Sequence, residues 1–163
     1  MSDKIIFDSG LSKDDKYKEL IPQILSLVKD ETDFTANIAN VTSALKYSFI
    51  DFSWVGFYIY RKDSAELVLG PFQGKIACTR ILMGKGVCGT AAIKKETVIV
   101  ADVNKFPGHI FCDSDSKSEI VVPVLKNGEL KGVLDIDSRE YDCFDEIDKN
   151  YLEDLVRKIS NLF

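Results

Sequence analysis

In the first third of the chain apolar side chains recur every three or four residues. Leu20, Ile24 and Leu27 or Val28 share one stripe of a helix that opens after Ser12, a good N-cap, with Asp14 and Asp15 in its first turn. Pro22 lies inside that pattern and predicts a kink or a restart. Phe34, Ile38, Val41, Leu45 and Phe49 form a second stripe and predict a helix over about 34–49. The period then falls to two. SWVGFYIYR, ELVLGPF and about CTRILM are short, rich in aromatic or β-branched residues and split by polar turns such as KDSA, which predicts an antiparallel meander. A short helix over about 86–95, a short strand TVIVAD and a long loop, VNKFPGHIFCDSDSKS, come next. EIVVPVL and LKGVLDID flank the turn signal Asn127-Gly128, and Ile147, Tyr151, Leu155 and Ile159 predict a last helix over about 145–161.

Two helices, three strands, a helix, three strands and a helix predict an α+β fold: a central antiparallel sheet of six strands with the terminal helices on one face. The short helix and the long loop are left for the other face, where they would enclose a pocket. At 163 residues the chain is the length of one domain, 1–163, able to bury roughly 70% of its unfolded surface. Twenty-six acidic against 21 basic side chains give a net charge of −5 with no long block of either sign, a poor match for nucleic acid or an anionic membrane. The amino terminus has no basic and apolar secretory pattern, and no segment approaches the roughly 20 apolar residues of a membrane helix. A cytoplasmic location follows as the expectation, and in a reducing compartment disulfides are transient and catalytic.

Cysteine chemistry is therefore the question, since Cys78, Cys88 and Cys112 all lie within 70–123. Cys143, at the start of the last helix, suits a small buried hydrophobe, and Cys88 within its short helix can be read the same way. Cys112 sits in a polar loop beside Asp113, where exposed backbone N–H groups and solvent favour a reactive thiolate. Cys78, Cys88, His109 and Cys112 also add up to four zinc-type ligands, but their spacing lacks the close pairs of structural zinc sites. Gly84-Lys85-Gly86-Val87-Cys88-Gly89 matches G-x-G-x-x-G, yet the short helix and antiparallel neighbours fit a tight turn better than a dinucleotide site.

Carboxylates on a strand face are ordinarily solvated. Here Leu134 and Ile136 claim the opposite face of their strand, so Asp135 and Asp137 share one side of a strand that is otherwise apolar. Buried acids need a proton or a cation, and a ligand ammonium would serve. Trp54 and Tyr58, four apart, also share a side, and an aromatic wall beside acids suits a small cationic or zwitterionic ligand as well as it suits plain core packing.

WVGFY, LGPFQGKIAC, GKGVCGTAA, DVNKFPGHIFCD, SEIVVPV and GVLDIDS, spread over 51–144, resemble in order and spacing the free methionine-R-sulfoxide reductases, a family of single-domain GAF proteins. The resemblance implies that Cys112 attacks the sulfoxide, that Cys78 resolves the sulfenic acid as a disulfide, and that Cys88 is an auxiliary thiol able to pair with Cys112. It implies that Glu119, Asp135 and Asp137 hold the substrate ammonium, that Trp54 and Tyr58 wall its methyl group, and that thioredoxin is the electron donor, with no metal or organic cofactor. Backbone N–H groups of 113–116 and a protonated Asp137 or Glu119 are the candidates to polarise the sulfoxide oxygen. GAF proteins also often form homodimers through terminal helices. A GAF module that senses a small ligand or redox state without turnover is the rival reading, and a zinc-dependent hydrolase a third.

Overall fold

The computed structural model describes residues 5, 10–110 and 113–163, which form four α-helices and six strands. α1 (Lys13–Leu27) is capped by Ser12, whose hydroxyl accepts from Asp15 N at 3.2 Å, and α2 (Phe34–Ser48) by Asp33, which accepts from Ala36 N. α1 continues through Pro22, so the expected restart does not occur. Tyr17, Leu20, Ile21 and Ile24 stay buried on both sides of the proline. At roughly 1.5–3 kcal/mol for each buried side chain, that stripe outweighs the ~3 kcal/mol a proline costs inside a helix.

β1 (Phe52–Arg61), β2 (Glu66–Gln73) and β3 (Arg80–Leu82) make the first meander; α3 (Gly86–Lys94) leads to β4 (Val98–Val100), then β5 (Ser118–Lys126), β6 (Glu129–Ser138) and α4 (Glu146–Ile159). β3 and β4 are shorter than the periodicity predicts, so Cys78 precedes its strand rather than standing in it. The long loop begins with an unforeseen 3-10 turn, Val103–Lys105, for which Asp102 supplies the cap. Asn127 and Gly128, both at positive φ, join β5 to β6 as the turn signal predicts.

The strand order is β3-β2-β1-β6-β5-β4 with every pair antiparallel, so two three-stranded meanders join along β1 and β6. Strand alternation divides the core. Val55, Phe57, Ile120, Val122, Leu134 and Ile136 face α2 and α4, with α1 packed against both helices. Trp54, Tyr58, Val121 and Val133 face the other way, beneath α3. The expected division, helices on one face and the short helix with the loop on the other, is what the molecule has.

Among the described residues no helix is long and apolar enough to cross a membrane. α1 and α4 are tied by Asp148, fully buried, which accepts from Tyr17 Oη at 2.8 Å, from Lys13 Nζ at 2.6 Å and from Asp145 N at 2.9 Å within a capping box. Replacing Asp148 by Ala should strand the buried Tyr17 hydroxyl, costing roughly 1–3 kcal/mol, and remove the box, costing about 1 more. Denaturant unfolding should therefore show a lower midpoint at unchanged m-value.

Candidate active site

The pocket sits on the face that bears α3 and is open to solvent, bounded by residues of β1, β3, β5, β6, α3 and two loops. Its floor follows from register. Asp137 lies between Trp54 of β1 and Glu119 of β5, and Asp135 between Gly56 and Val121. The three acids are thereby neighbours on one face, as the alternation of β6 predicts for Asp135 and Asp137.

They are not solvated. Glu119 and Asp135 are buried, and Asp137 is accessible only in part, in a concave wall of protein atoms. Burial raises all three carboxyls above the ordinary range. Asp135 rises to about 6, moderated by Cys88 and Glu119. Glu119 and Asp137 rise further, each also repelled by Asp135, with Ser116 pulling Asp137 the other way. Among the described residues no lysine or arginine pairs with any of them; His109 Nδ1 stands 3.9 Å from Glu119 Oε2, and burial keeps that imidazole toward its neutral form. Among the described residues Asp135 Oδ1 has no hydrogen-bond partner.

The aromatic wall is locked from behind. Trp54 Nε1 donates to Lys75 O and Tyr58 Oη to Cys78 O, both at 3.0 Å, so the two rings fix the backbone that carries Cys78. Trp54 stacks on Tyr58 and on Phe72, with centroids 6.0 and 5.4 Å away. The indole lies across Gly56, where an added Cβ would come within 2.3 Å of the ring.

Cys78 is disulfide-bonded, whereas Cys88 and Cys143 are free thiols. Cys88 lies in the first turn of α3, 3.9 Å from Glu119 Oε1, and burial beside Asp135 and Glu119 pushes its pKa far up. Cys143 is half-buried by the entry to α4, away from the pocket lining. Cys112 lies outside the described residues. The four-ligand zinc set does not hold in this state, because Cys78 is already bonded. The G-x-G-x-x-G stretch is a tight turn, with Gly84 and Gly86 at positive φ and Gly89 packed against the Leu82 carbonyl.

Loop 113–116 is latched over the pocket by Lys75, which pairs with Asp113 and Asp115, and by Arg139, which pairs with Asp115. Two of its four backbone N–H groups are already engaged, Asp115 N on the Asp113 carboxylate and Ser116 N on the Asp113 carbonyl. That narrows the expected oxyanion donors to Asp113 and Ser114. Ser116 and His109 line the pocket beside the acids. The first was not singled out in its run of Asp and Ser, and the second entered only as one of four zinc-type ligands. Only the fold brings 109 and 116 onto β5 and β6.

Comparison with known proteins bears on this geometry directly. A GAF domain model matches residues 30–163. GAF domain-containing protein A of Dictyostelium discoideum is 55% identical over 150 residues, 92% of this chain and 94% of the relative. Free methionine-R-sulfoxide reductase of Saccharomyces cerevisiae is 44% identical over 165 residues, 98% of this chain and 92% of the yeast protein. The X-ray structure of free methionine-R-sulfoxide reductase from Neisseria meningitidis in complex with its substrate matches with a TM-score of 0.95 at 48% identity, covering 99% of this chain and 95% of that one. The chain belongs to the free methionine-R-sulfoxide reductase family. It thus carries a GAF fold whose relatives include a reductase with substrate bound.

Two measurements test the site as built. Trp54 is the only tryptophan, so Gly56→Ala, which must displace its ring, should shift the intrinsic emission and cost about 1–3 kcal/mol of stability. Asp135 binds its proton more tightly folded, at about 6, than the 3.8 of an ordinary aspartate. Its contribution to stability is complete below about 4 and is lost as pH rises through about 6. Ligand-free protein should therefore lose roughly 1–3 kcal/mol between pH 4 and 7 from this group, and Asp135→Asn should flatten that slope in denaturant titrations.

Proposed function

We propose that this pocket reduces free L-methionine (R)-S-oxide to L-methionine, and that residues 1–163 act as one domain in doing so. The observation that carries the reading is the trio of pocket carboxylates, Glu119 and Asp135 buried and Asp137 partly so, with no lysine or arginine among the described residues to balance them. Such a floor calls for a cation from the ligand, and the α-ammonium of a free amino acid supplies one. A peptide-bound methionine sulfoxide has no such group, so the same acids reject it. Trp54 and Tyr58 offer the methyl group an apolar surface.

The reaction needs a thiolate and a proton donor. Cys112 attacks the sulfoxide sulfur; the oxygen, protonated by Glu119 or Asp137, passes to the cysteine, and methionine leaves behind a sulfenic acid. The raised pKa of either acid at neutral pH suits the donor's task. Backbone N–H groups of Asp113 and Ser114 are the donors left to steady the oxygen. Cys78 then displaces water from the sulfenic acid to close a disulfide, a role supported by its being disulfide-bonded here. Thioredoxin restores both thiols by exchange. Cys88, a protonated thiol among the acids, is an auxiliary that can pair with Cys112. The cycle requires no metal or organic cofactor, and the thiol chemistry fits a reducing cytoplasm.

Steady-state NADPH consumption with thioredoxin and its reductase tests the proposal. Turnover should be confined to the free R sulfoxide, with the S epimer and the N-acetylated R sulfoxide inert. Cys112→Ser should abolish it. Glu119→Gln, which removes both a charge for the ammonium and a candidate acid, should lower kcat/KM by about 100-fold or more. Formation of an intramolecular disulfide with no consumption of any sulfoxide would replace the reductase by a redox sensor.

A further inference from the structure

The ammonium accounts for the carboxylates but leaves the Cys88 thiol among them without a purpose in ligand binding. Cys88 Sγ, a Glu119 carboxylate oxygen and an Asp135 carboxylate oxygen all lie within 4.8 Å of one another, and the sulfur is 3.9 Å from Glu119 Oε1. All three side chains are buried, Asp135 to 93%; Asp135 lines the pocket, and its Oδ1 has no hydrogen-bond partner among the described residues. A tetrahedral zinc ion with one sulfur at about 2.3 Å and two oxygens at about 2.1 Å needs ligand atoms roughly 3.4–3.6 Å apart. The observed separations, 3.9 Å for the sulfur and Glu119 Oε1 and no more than 4.8 Å for any pair, exceed that spacing by at most about 1.4 Å. We infer that Cys88, Glu119 and Asp135 form a binding site for a thiophilic divalent ion of the zinc or cobalt class.

The donor set decides the class. Magnesium and calcium take oxygen ligands alone, whereas a thiolate beside two carboxylates selects a borderline-soft ion that accepts both. All three residues line the pocket, so a fourth ligand would come from it. An ion there sits where the pocket otherwise receives the cationic end of a ligand, so the site is inhibitory in character. Binding involves no oxidation: the thiol and carboxyls give up their protons to solvent as the ion enters, so affinity increases with pH. The site is also distinct from the four ligands that spacing alone suggests, since it uses neither Cys78, His109 nor Cys112.

Titration of the reduced full-length protein with Co²⁺, after removal of reductant under nitrogen, tests the assignment. One ion per chain should bind with a thiolate-to-cobalt charge-transfer band in the near ultraviolet, and Zn²⁺ should displace it. Cys88→Ser should abolish the band. Asp135→Asn, nearly isosteric, should weaken binding at least ~10- to 100-fold while Trp54 emission stays folded-like. Cys78→Ser, Cys112→Ser and Cys143→Ser should each retain band and affinity. A band that survives Cys88→Ser, or that disappears in Cys78→Ser or Cys112→Ser, would place the ion at the other cysteines and overturn the inference.

Discussion

Three carboxylates held face to face in a low-dielectric wall repel one another and resist ionisation, and no lysine or arginine among the described residues relieves them. A folded protein keeps such an arrangement only if the rest of the structure outweighs its cost. Here the opposite face of the same strands does so. Ile120, Leu134 and Ile136 alternate with Glu119, Asp135 and Asp137 and are buried against α2 and α4. Each step from 119 to 120 on β5, and from 134 to 137 on β6, thus switches between cohesion and unbalanced charge.

The same alternation explains what could be read in advance. Leu134 and Ile136 told which side of β6 was core, and so placed Asp135 and Asp137 together; Trp54 and Tyr58 shared a side for the same reason. Glu119 could not be added to that face from periodicity, because its partnership with Asp137 depends on the β5–β6 register, a long-range property. Cys88 looked like an interior hydrophobe, and it is buried. What its helix does not disclose is that α3 lowers its sulfur onto Glu119. α1, α2 and α4, with strong stripes and Ser or Asp caps, were legible nearly to their ends. β3 and β4 were overextended because three-residue edge strands carry too few residues for a period of two to define their limits.

The aromatic residues couple the two halves of the proposed chemistry. Trp54 and Tyr58 present their faces to the pocket and give their polar tips to the carbonyls of Lys75 and Cys78. Lys75 in turn pairs with Asp113 and Asp115 across the pocket mouth. On the proposed mechanism, the wall that contacts substrate is also what positions the resolving cysteine, and the latch joins that segment to the loop after the attacking one.

The meeting of β1 and β6 at the centre of the sheet has a consequence for how the molecule is made. Ser53 donates to the carbonyl of Asp137, 84 positions later, along the seam where Trp54 acquires its acidic neighbour. During synthesis the first meander must wait, one edge of β1 unpaired, until the ribosome has released β6. The pocket is therefore among the last features to form, and a nascent chain exposes an open strand edge, a template for misassembly, throughout that interval.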